Sequence, residues 1–241
     1  MILTASHLEE FESRGFFVLP CCLSPGQLES LRDSCDRYVR LADEEMDREG
    51  ASVRGINHRG RRYFIAKKSA EDTELQRFLF SDVMRELTHG TMSGGAYLFW
   101  EQFVVKPGGV GMEFAWHQDS GYVGHDHRPY VSFWIPLDDV NEENGTVYLL
   151  PYESAGTRDR VEHRRDESAN DLRGYFGEDP GVPVIAEAGS IAVFSSTTFH
   201  RSGANRTDRT RRVYLAQYSP EIILSRDGTR PWGFDTPVPR P

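Results

Sequence analysis

From Ala96 to Ser219 the sequence is a succession of short β-branched and aromatic runs punctuated by turn residues, with no helical periodicity between them. The first run, Ala96-Tyr97-Leu98-Phe99-Trp100-Glu101-Gln102-Phe103-Val104-Val105-Lys106, stops at Pro107-Gly108-Gly109, as a strand followed by a turn does. Phe114 to His117, Val131 to Pro136, Thr146 to Pro151, Val182 to Ile185, Ile191 to Ser195 and Arg212 to Ser219 share that texture. Asn144-Gly145 is a tight-turn signal ahead of one of them. Such a series predicts an antiparallel sandwich or barrel. Aromatic residues at 12%, with 22 Gly and 13 Pro, fit the same mainly β fold class.

The residues before Ala96 read as a mostly helical flank. Apolar positions from Leu3 to about Phe11 fall at helical spacing behind Thr4 or Ser6, and Gly15-Phe16-Phe17-Val18-Leu19-Pro20 is a short strand closed by proline. Ser24-Pro25 starts a second helix, whose stripe of Leu28, Leu31, Cys35, Tyr38, Val39 and Leu41 runs into acidic residues 43–49. The spacing of Leu75, Phe78, Leu79, Val83, Met84 and Leu87 predicts a third helix over Ala70 to Leu87. Between the last two lies a Gly-rich basic segment with Arg54, Arg59, Arg61, Arg62, Lys67 and Lys68. It reads as a solvated loop, or more sharply as a loop that draws in an anionic ligand. Residues 152–180 are highly charged and read as a lid or insertion, and the Pro-rich residues 221–241 as irregular chain laid on the surface. With no linker or repeat in view, residues 1–241 are expected to form a single domain: flank 1–95, core 96–220, tail 221–241.

The formal net charge of −9 sets the field against nucleic acid and anionic membranes, so a small-molecule substrate is the expected partner. Three cysteines, Cys21, Cys22 and Cys35, do not make a disulfide framework, and the chain shows neither a secretory leader pattern nor an apolar run long enough to span a bilayer. A cytoplasmic location is the expectation.

Within this frame Trp116-His117-Gln118-Asp119-Ser120-Gly121-Tyr122 places an imidazole and a carboxylate two residues apart at the end of a strand-like run, so both can point to one face and converge on one ion. A His-x-Asp pair is common by chance and needs a third ligand in a suitable context. His200, at the end of Ile191 to Ser195 and its turn, supplies one. Two histidines and a carboxylate on one face of an octahedron leave three positions open, the arrangement of non-haem Fe(II) oxygenases. Arg211 offers a planar fork for the far carboxylate of a chelating keto acid. His125-Asp126-His127 forms a second cluster, but Gly124 and Arg128-Pro129 around it make it a loop at the pocket rim or surface. His58, His89 and His163 lack partners at ligand spacing, and Asp138 and Asp139 are better suited to closing a strand than to acid–base work.

Taken together, these blocks resemble the phytanoyl-CoA dioxygenase-like branch of the Fe(II)/2-oxoglutarate-dependent dioxygenases over nearly the whole chain. The resemblance is carried by Leu3-Thr4 through Leu23-Ser24-Pro25, Trp116 to Tyr122, Trp134-Ile135-Pro136-Leu137-Asp138-Asp139 with Asn144-Gly145-Thr146, and His200-Arg201-Ser202-Gly203-Ala204-Asn205-Arg206-Thr207 to Arg211-Arg212. It implies a double-stranded β-helix, the jelly-roll barrel, with helices packed outside. It also implies a metal triad of His117, Asp119 and His200, a 2-oxoglutarate anchor at Arg211, and Ser202, Gln102 and Trp134 around the same pocket. The implied cofactors are Fe(II), 2-oxoglutarate and O2. The implied reaction is hydroxylation, or another C–H oxidation, of a small organic molecule, with 2-oxoglutarate decarboxylated to succinate. Related halogenases have a small residue in place of the carboxylate, so Asp119 implies transfer of oxygen rather than halogen. After the Asn-Gly turn the chain departs from the family's usual Pro-Gly-Ser-His, having Pro151-Tyr152-Glu153-Ser154-Ala155-Gly156 and then the charged insertion. Residues 54–68 and 152–180 are expected to wall the substrate side. The alternatives are a non-catalytic cupin-like binding protein, in which Arg211 would have no purpose, and a zinc hydrolase, for which no general base stands out.

Overall fold

The computed structural model describes residues 2–166 and 171–241. Thr4 and Ser24 open α1 (Ala5–Arg14) and α2 (Pro25–Glu49), each hydroxyl accepting the amide three residues on, and Gly15 and Gly50 close them in the left-handed conformation. Strand β1 (Phe16–Leu19) lies between these helices. A small hairpin of β2 (Val53–Arg54) and β3 (Asn57–His58) and then β4 (Tyr63–Ala66) follow α2. The single helix expected over 70–87 is two, α3 (Thr73–Leu79) and α4 (Asp82–Thr91). Asp72 caps α3, and the chain extends at Ser81 before turning into α4. Leu75, Leu79, Met84 and Leu87 still join one core, so the spacing identified the buried face while tertiary packing placed the break.

The remaining elements are β5 (Tyr97–Lys106), β6 (Phe114–His117), the single turn α5 (Ser120–Val123), β7 (Val131–Pro136), β8 (Val147–Leu149), α6 (Tyr152–Ala155), β9 (Arg164–Asp166), β10 (Asp171–Arg173), β11 (Val182–Pro183), β12 (Ile191–Ser195), β13 (His200–Ser202), β14 (Arg211–Ser219) and β15 (Thr236–Pro237). Among the described residues one sheet has the order β1-β12-β7-β14-β5-β15 with β4 also on β5, and a second has the order β11-β8-β13-β6. All of these pairings are antiparallel, and the two sheets form the jelly roll.

The period of two along each strand assigns residues to two layers. Val131, Phe133, Ile135, Ile191, Val193, Tyr214, Ala216 and Tyr218 face the helices and pack with Leu31, Leu79 and Met84. Trp134, Ala192, Phe194, Val213 and Leu215 face the other way and meet Val147 and Leu149 of the second sheet. Every residue of β7 is buried because the larger sheet is covered on both sides. By the same parity Gln102, Lys106, Ser132, Arg211 and Gln217 project between the sheets, where polar side chains need specific partners.

The charged segments behave differently from the sharper expectation. Arg54 pairs with Glu45 and Arg59 with Asp47, solvent-screened contacts on the acidic end of α2 that hold the loop against its own helix. Arg62 is fully buried, its guanidinium bonded to both oxygens of Asp171 at 2.9 and 3.2 Å and stacked 4.9 Å from the Phe114 ring. The basic loop is therefore anchored to its own protein rather than displayed to a ligand.

Asp171 belongs to the insertion, which is folded rather than loose at its described positions. Its Oδ2 accepts from Ala115 N, Gly174 N donates to Trp116 O, and Leu172 N donates to Tyr122 Oη, sewing the β9–β10 hairpin to the β6 edge. Residues 167–170 of the expected insertion lie outside the described residues. The tail is more than surface chain: Trp232 N donates to Ile223 O, Phe234 N donates to Phe99 O, and β15 extends the sheet at β5. Removing one partner of the buried Arg62–Asp171 pair, as Arg62→Met or Asp171→Leu, should cost about 3–5 kcal/mol in chemical denaturation, with the double variant recovering most of it. A loss below about 1 kcal/mol in both single variants would contradict the assignment.

Candidate active site

Antiparallel pairing of β13 with β6 sets His200 directly opposite His117, and their rings lie 4.0 Å apart between centroids. Asp119 follows two residues after His117, at the entry to α5. Its Oδ1 is 3.8 Å from His117 Nε2 and 3.5 Å from His200 Nε2, and the three prospective ligand atoms all lie within 4.8 Å of one another. Each ring is aimed by a backbone carbonyl: His117 Nδ1 bonds Ala115 O at 2.8 Å and His200 Nδ1 bonds Thr198 O at 3.1 Å. With Nδ1 donating, the lone pair on each ring sits on Nε2, toward the cluster.

The other carboxylate oxygen is held from behind. Asp119 Oδ2 accepts from Ser132 Oγ at 2.6 Å and from Gln217 Nε2 at 2.8 Å, and Gln217 also donates to Ser132 Oγ. This arrangement leaves Oδ1 as the oxygen offered to an ion. Burial opposes the carboxylate's charge, but His200, His117 and Ser132 outweigh it and hold Asp119 down to about 2. Burial, and then His200 beside it, keep His117 well below the ordinary histidine range, so its lone pair is available at neutral pH. Two imidazoles and one carboxylate crowded in a buried site are a donor set for a divalent cation.

Gln118, between the two ligands in sequence, ties the site to the insertion. Its amide donates to Asp159 O and Thr197 O, its Oε1 accepts from Val161 N, and its backbone N–H donates to His163 Nε2. His163 is thus structural, as its spacing implied. His125 bonds Val123 O and Leu224 O and lies against Trp232, a role at the rim rather than at a metal.

Arg211 is buried on the inner face of β14. Its Nη1 and Nη2 reach only the carbonyls of Val104 and Gly145, at 3.4 and 3.0 Å, and Nε has no partner among the described residues. No carboxylate pairs with it there, and burial draws its pKa down to about 10. Arg212, one position on, faces outward to Asp138 and Asp36, while Arg206 and Arg209 are exposed. The Trp134 ring lies 5.8 Å from the Arg211 guanidinium carbon. A narrow cleft of about 50 Å³ is lined by Gln102, Trp134, His200, Ser202 and Arg211, bringing every site residue expected from sequence to one place with His117 and Asp119.

Sequence reasoning missed Lys106, Ser132 and Gln217. Lys106 is the cross-strand partner of Arg211, is fully buried, and donates to Ser202 Oγ at 2.8 Å and to Gly203 O. Strand parity alone could have flagged all three as polar residues on inward positions.

A larger chamber of about 270 Å³ also borders His117 and Asp119, without His200 or Arg211 in its lining. Ile56 and Phe64 are the members of segment 54–68 that line it, and Trp232 comes from the tail. None of the loop's arginines lines it, so that part of the expected wall is corrected.

The family model for phytanoyl-CoA dioxygenase (PhyH) matches residues 11–213. The chain belongs to that family. It is a 2-oxoglutarate-dependent, non-haem iron dioxygenase, an oxidoreductase acting on a small molecule, which sets aside the binding-protein and hydrolase alternatives. Its relatives include the phytanoyl-CoA dioxygenase domain-containing protein 1 of Danio rerio, 21% identical with 88% of this chain and 89% of that one covered. The ectoine dioxygenase of Stutzerimonas stutzeri is 25% identical over 90% of this chain and 77% of its own. In fold the dioxygenase is similar to EvdO2 of Micromonospora carbonacea var. aurantiaca, whose crystal structure is complexed with 2-oxoglutarate, at a TM-score of 0.69 and 24% identity over 90% of both chains. Among the described residues no helix is long and apolar enough to cross a membrane.

Losing the grip on Asp119 Oδ2, through Ser132→Ala or Gln217→Leu, should weaken Fe(II) binding about 10–100-fold in anaerobic titration while the fold stays intact. Unchanged metal affinity in the double variant would show that the two residues only fill space.

Proposed function

We propose that His117 Nε2, Asp119 Oδ1 and His200 Nε2 hold Fe(II), and that Arg211 receives the far carboxylate of 2-oxoglutarate. The observation that carries this reading is Arg211 itself, a fully buried guanidinium with an unpartnered Nε and no carboxylate counter-ion among the described residues, in the cleft that also contains His200. An uncompensated buried cation costs several kcal/mol, so its retention argues for a dianionic ligand that supplies the missing charge. Ser202 lies in the same cleft with its Oγ fixed by Lys106, Trp134 forms the wall beside the guanidinium, and Gln102 stands between cleft and chamber.

Bound Fe(II), with 2-oxoglutarate and O2, supplies the oxidising chemistry, in which the keto acid is decarboxylated to succinate and a substrate C–H bond is oxidised. The protein's share is geometric and electrostatic. Nδ1 bonds to Ala115 and Thr198 hold both imidazoles in one tautomer, and Ser132 with Gln217 keeps the carboxylate presenting one oxygen. His117 Nε2, Asp119 Oδ1 and His200 Nε2 would hold the ion, and a bound Fe(II) would supply the positions for co-substrate and oxygen. The cleft and the chamber both border His117 and Asp119, and only the cleft includes His200 and Arg211, so co-substrate is assigned to the cleft and substrate to the chamber. Retention of Asp119 supports hydroxylation over halogen transfer. We further read residues 1–241 as one catalytic domain in the cytoplasm: the described cysteines are all free thiols, with Cys35 buried. The formal charge of −9 favours a small-molecule substrate over nucleic acid or membrane.

Anaerobic addition of Fe(II) and then 2-oxoglutarate should produce a visible charge-transfer band. Asp119→Ala should abolish it by losing iron, whereas Arg211→Met should keep iron and raise the 2-oxoglutarate Kd on the order of 100-fold. No band in the intact protein, together with no succinate formed in air, would sink the proposal.

A further inference from the structure

The chamber beside the triad differs in character from the cleft that holds Arg211. Phe64, Phe99, Phe114, Tyr122, Tyr130 and Trp232 contribute rings to its walls, and no Lys, Arg or Glu is among its described lining residues. Its single carboxylate, Asp119, already has one oxygen bonded by Ser132 and Gln217 and the other turned to the histidines. A register shift in the β5–β14 pairing, where Gln217 opposes Trp100 and Tyr218 opposes Leu98, lets consecutive residues Phe99 and Trp100 both face the space. The rings brace one another: Phe99 and Tyr130 are 4.8 Å apart between centroids, and Phe114 and Tyr122 stack at 6.3 Å. Tyr122 Oη is fixed by Leu172 N, so this wall is set in place by the insertion hairpin.

We infer that the substrate presents an uncharged, ring-bearing portion to this chamber, with hydroxyl or carbonyl oxygens as its polar atoms; this rests on the functional reading above. An anionic group there would find no cationic side chain in the lining, and burying it unpaired costs several kcal/mol. Aromatic walls can receive cations, but a cationic group would stand against the metal ion, and Lys67 already occupies the Trp100 ring with its ammonium 4.5 Å from the centroid.

What remains favourable is burial of apolar surface and offset or edge-on ring contact, about 0.5–1.5 kcal/mol per ring pair beyond the area term. The chamber is about 270 Å³, short of the usual range for a whole drug-sized ligand, and suits one or two fused rings better than a long acyl chain. Polar recognition falls to two amides. Gln102 accepts from Trp100 Nε1 at 3.4 Å through its oxygen, leaving its N–H groups for a substrate oxygen, and the Gln217 carbonyl can accept from a hydroxyl.

The test is anaerobic calorimetric titration of the protein loaded with Fe(II) and 2-oxoglutarate, using 1-naphthol and 1-tetralone as ring probes. L-proline and 2-aminoethylphosphonate serve as charged probes, and decanamide as a neutral chain. The ring probes should saturate with Kd values at least tenfold below every other probe. Trp232→Ala, at a half-exposed position that can be truncated without emptying the core, should raise those Kd values several-fold and leave the 2-oxoglutarate Kd unchanged. A charged or chain probe binding as tightly, ring probes that never saturate, or ring binding indifferent to Trp232→Ala would each overturn the inference. Repeating the ring titrations on the metal-free chain separates the two claims. Failure of Fe(II) and 2-oxoglutarate to bind while ring probes still do strikes the functional reading and spares the chamber.

Discussion

The contact on which the site depends is the pairing of β13 with β6, which sets His200 opposite His117. Alone, each imidazole would be an ordinary buried histidine satisfied by a nearby carbonyl. Pairing brings two ring nitrogens to one carboxylate oxygen, and Asp119 cannot retreat because Ser132 and Gln217 hold its second oxygen. Three acceptors are thereby fixed close together in a dry setting, and that geometry is tolerable when a cation neutralises it. The surrounding barrel supplies rigidity: β13 is held between β6 and β8, and Ser132 and Gln217 come from adjacent strands of the facing sheet.

Around that centre the inner face divides into two regions of opposite character. On one side Arg211 and Lys106 are cross-strand neighbours, and among the described residues no carboxylate is hydrogen-bonded to the Arg211 guanidinium. On the other, aromatic rings from β5, β6, α5 and the tail enclose a space with no Lys or Arg among its described lining residues. An anionic co-substrate and a neutral ring are thus sorted by electrostatics before any specific contact forms. The insertion and the basic loop, which carry much of the chain's charge, use it to hold each other: Arg62 with Asp171 ties them to the β6 edge beneath Phe114.

Much of this was legible in the sequence because the relevant signals are local. The β-branched and aromatic texture of Val131 to Pro136 and Arg212 to Ser219 marked strands, Thr4 and Ser24 marked helix starts, and the spacing of His117 to Asp119 marked a candidate ligand pair. The partners of charge were not legible, because they are distant. Arg62 reads as one of several loop arginines until Asp171, 109 residues away, is seen beside it, and Lys106 reads as the polar end of a strand until it is found bonded to Ser202. Helix continuity through Ser81 failed as an expectation because both halves share the same apolar period and the break depends on what they pack against.

The sequence by itself determined the strand series, through its β-branched and aromatic runs, and the close spacing of His117 and Asp119, while the family resemblance supplied His200 and Arg211 as candidate third ligand and anchor. Tertiary structure alone decided that Ser132 and Gln217 grip Asp119, that Arg211 rather than Arg212 faces the cleft, and that Trp232 from the tail joins an aromatic chamber without Lys, Arg or Glu in its described lining. Those outcomes depend on sheet register and on long-range pairing energies, and no local pattern encodes either.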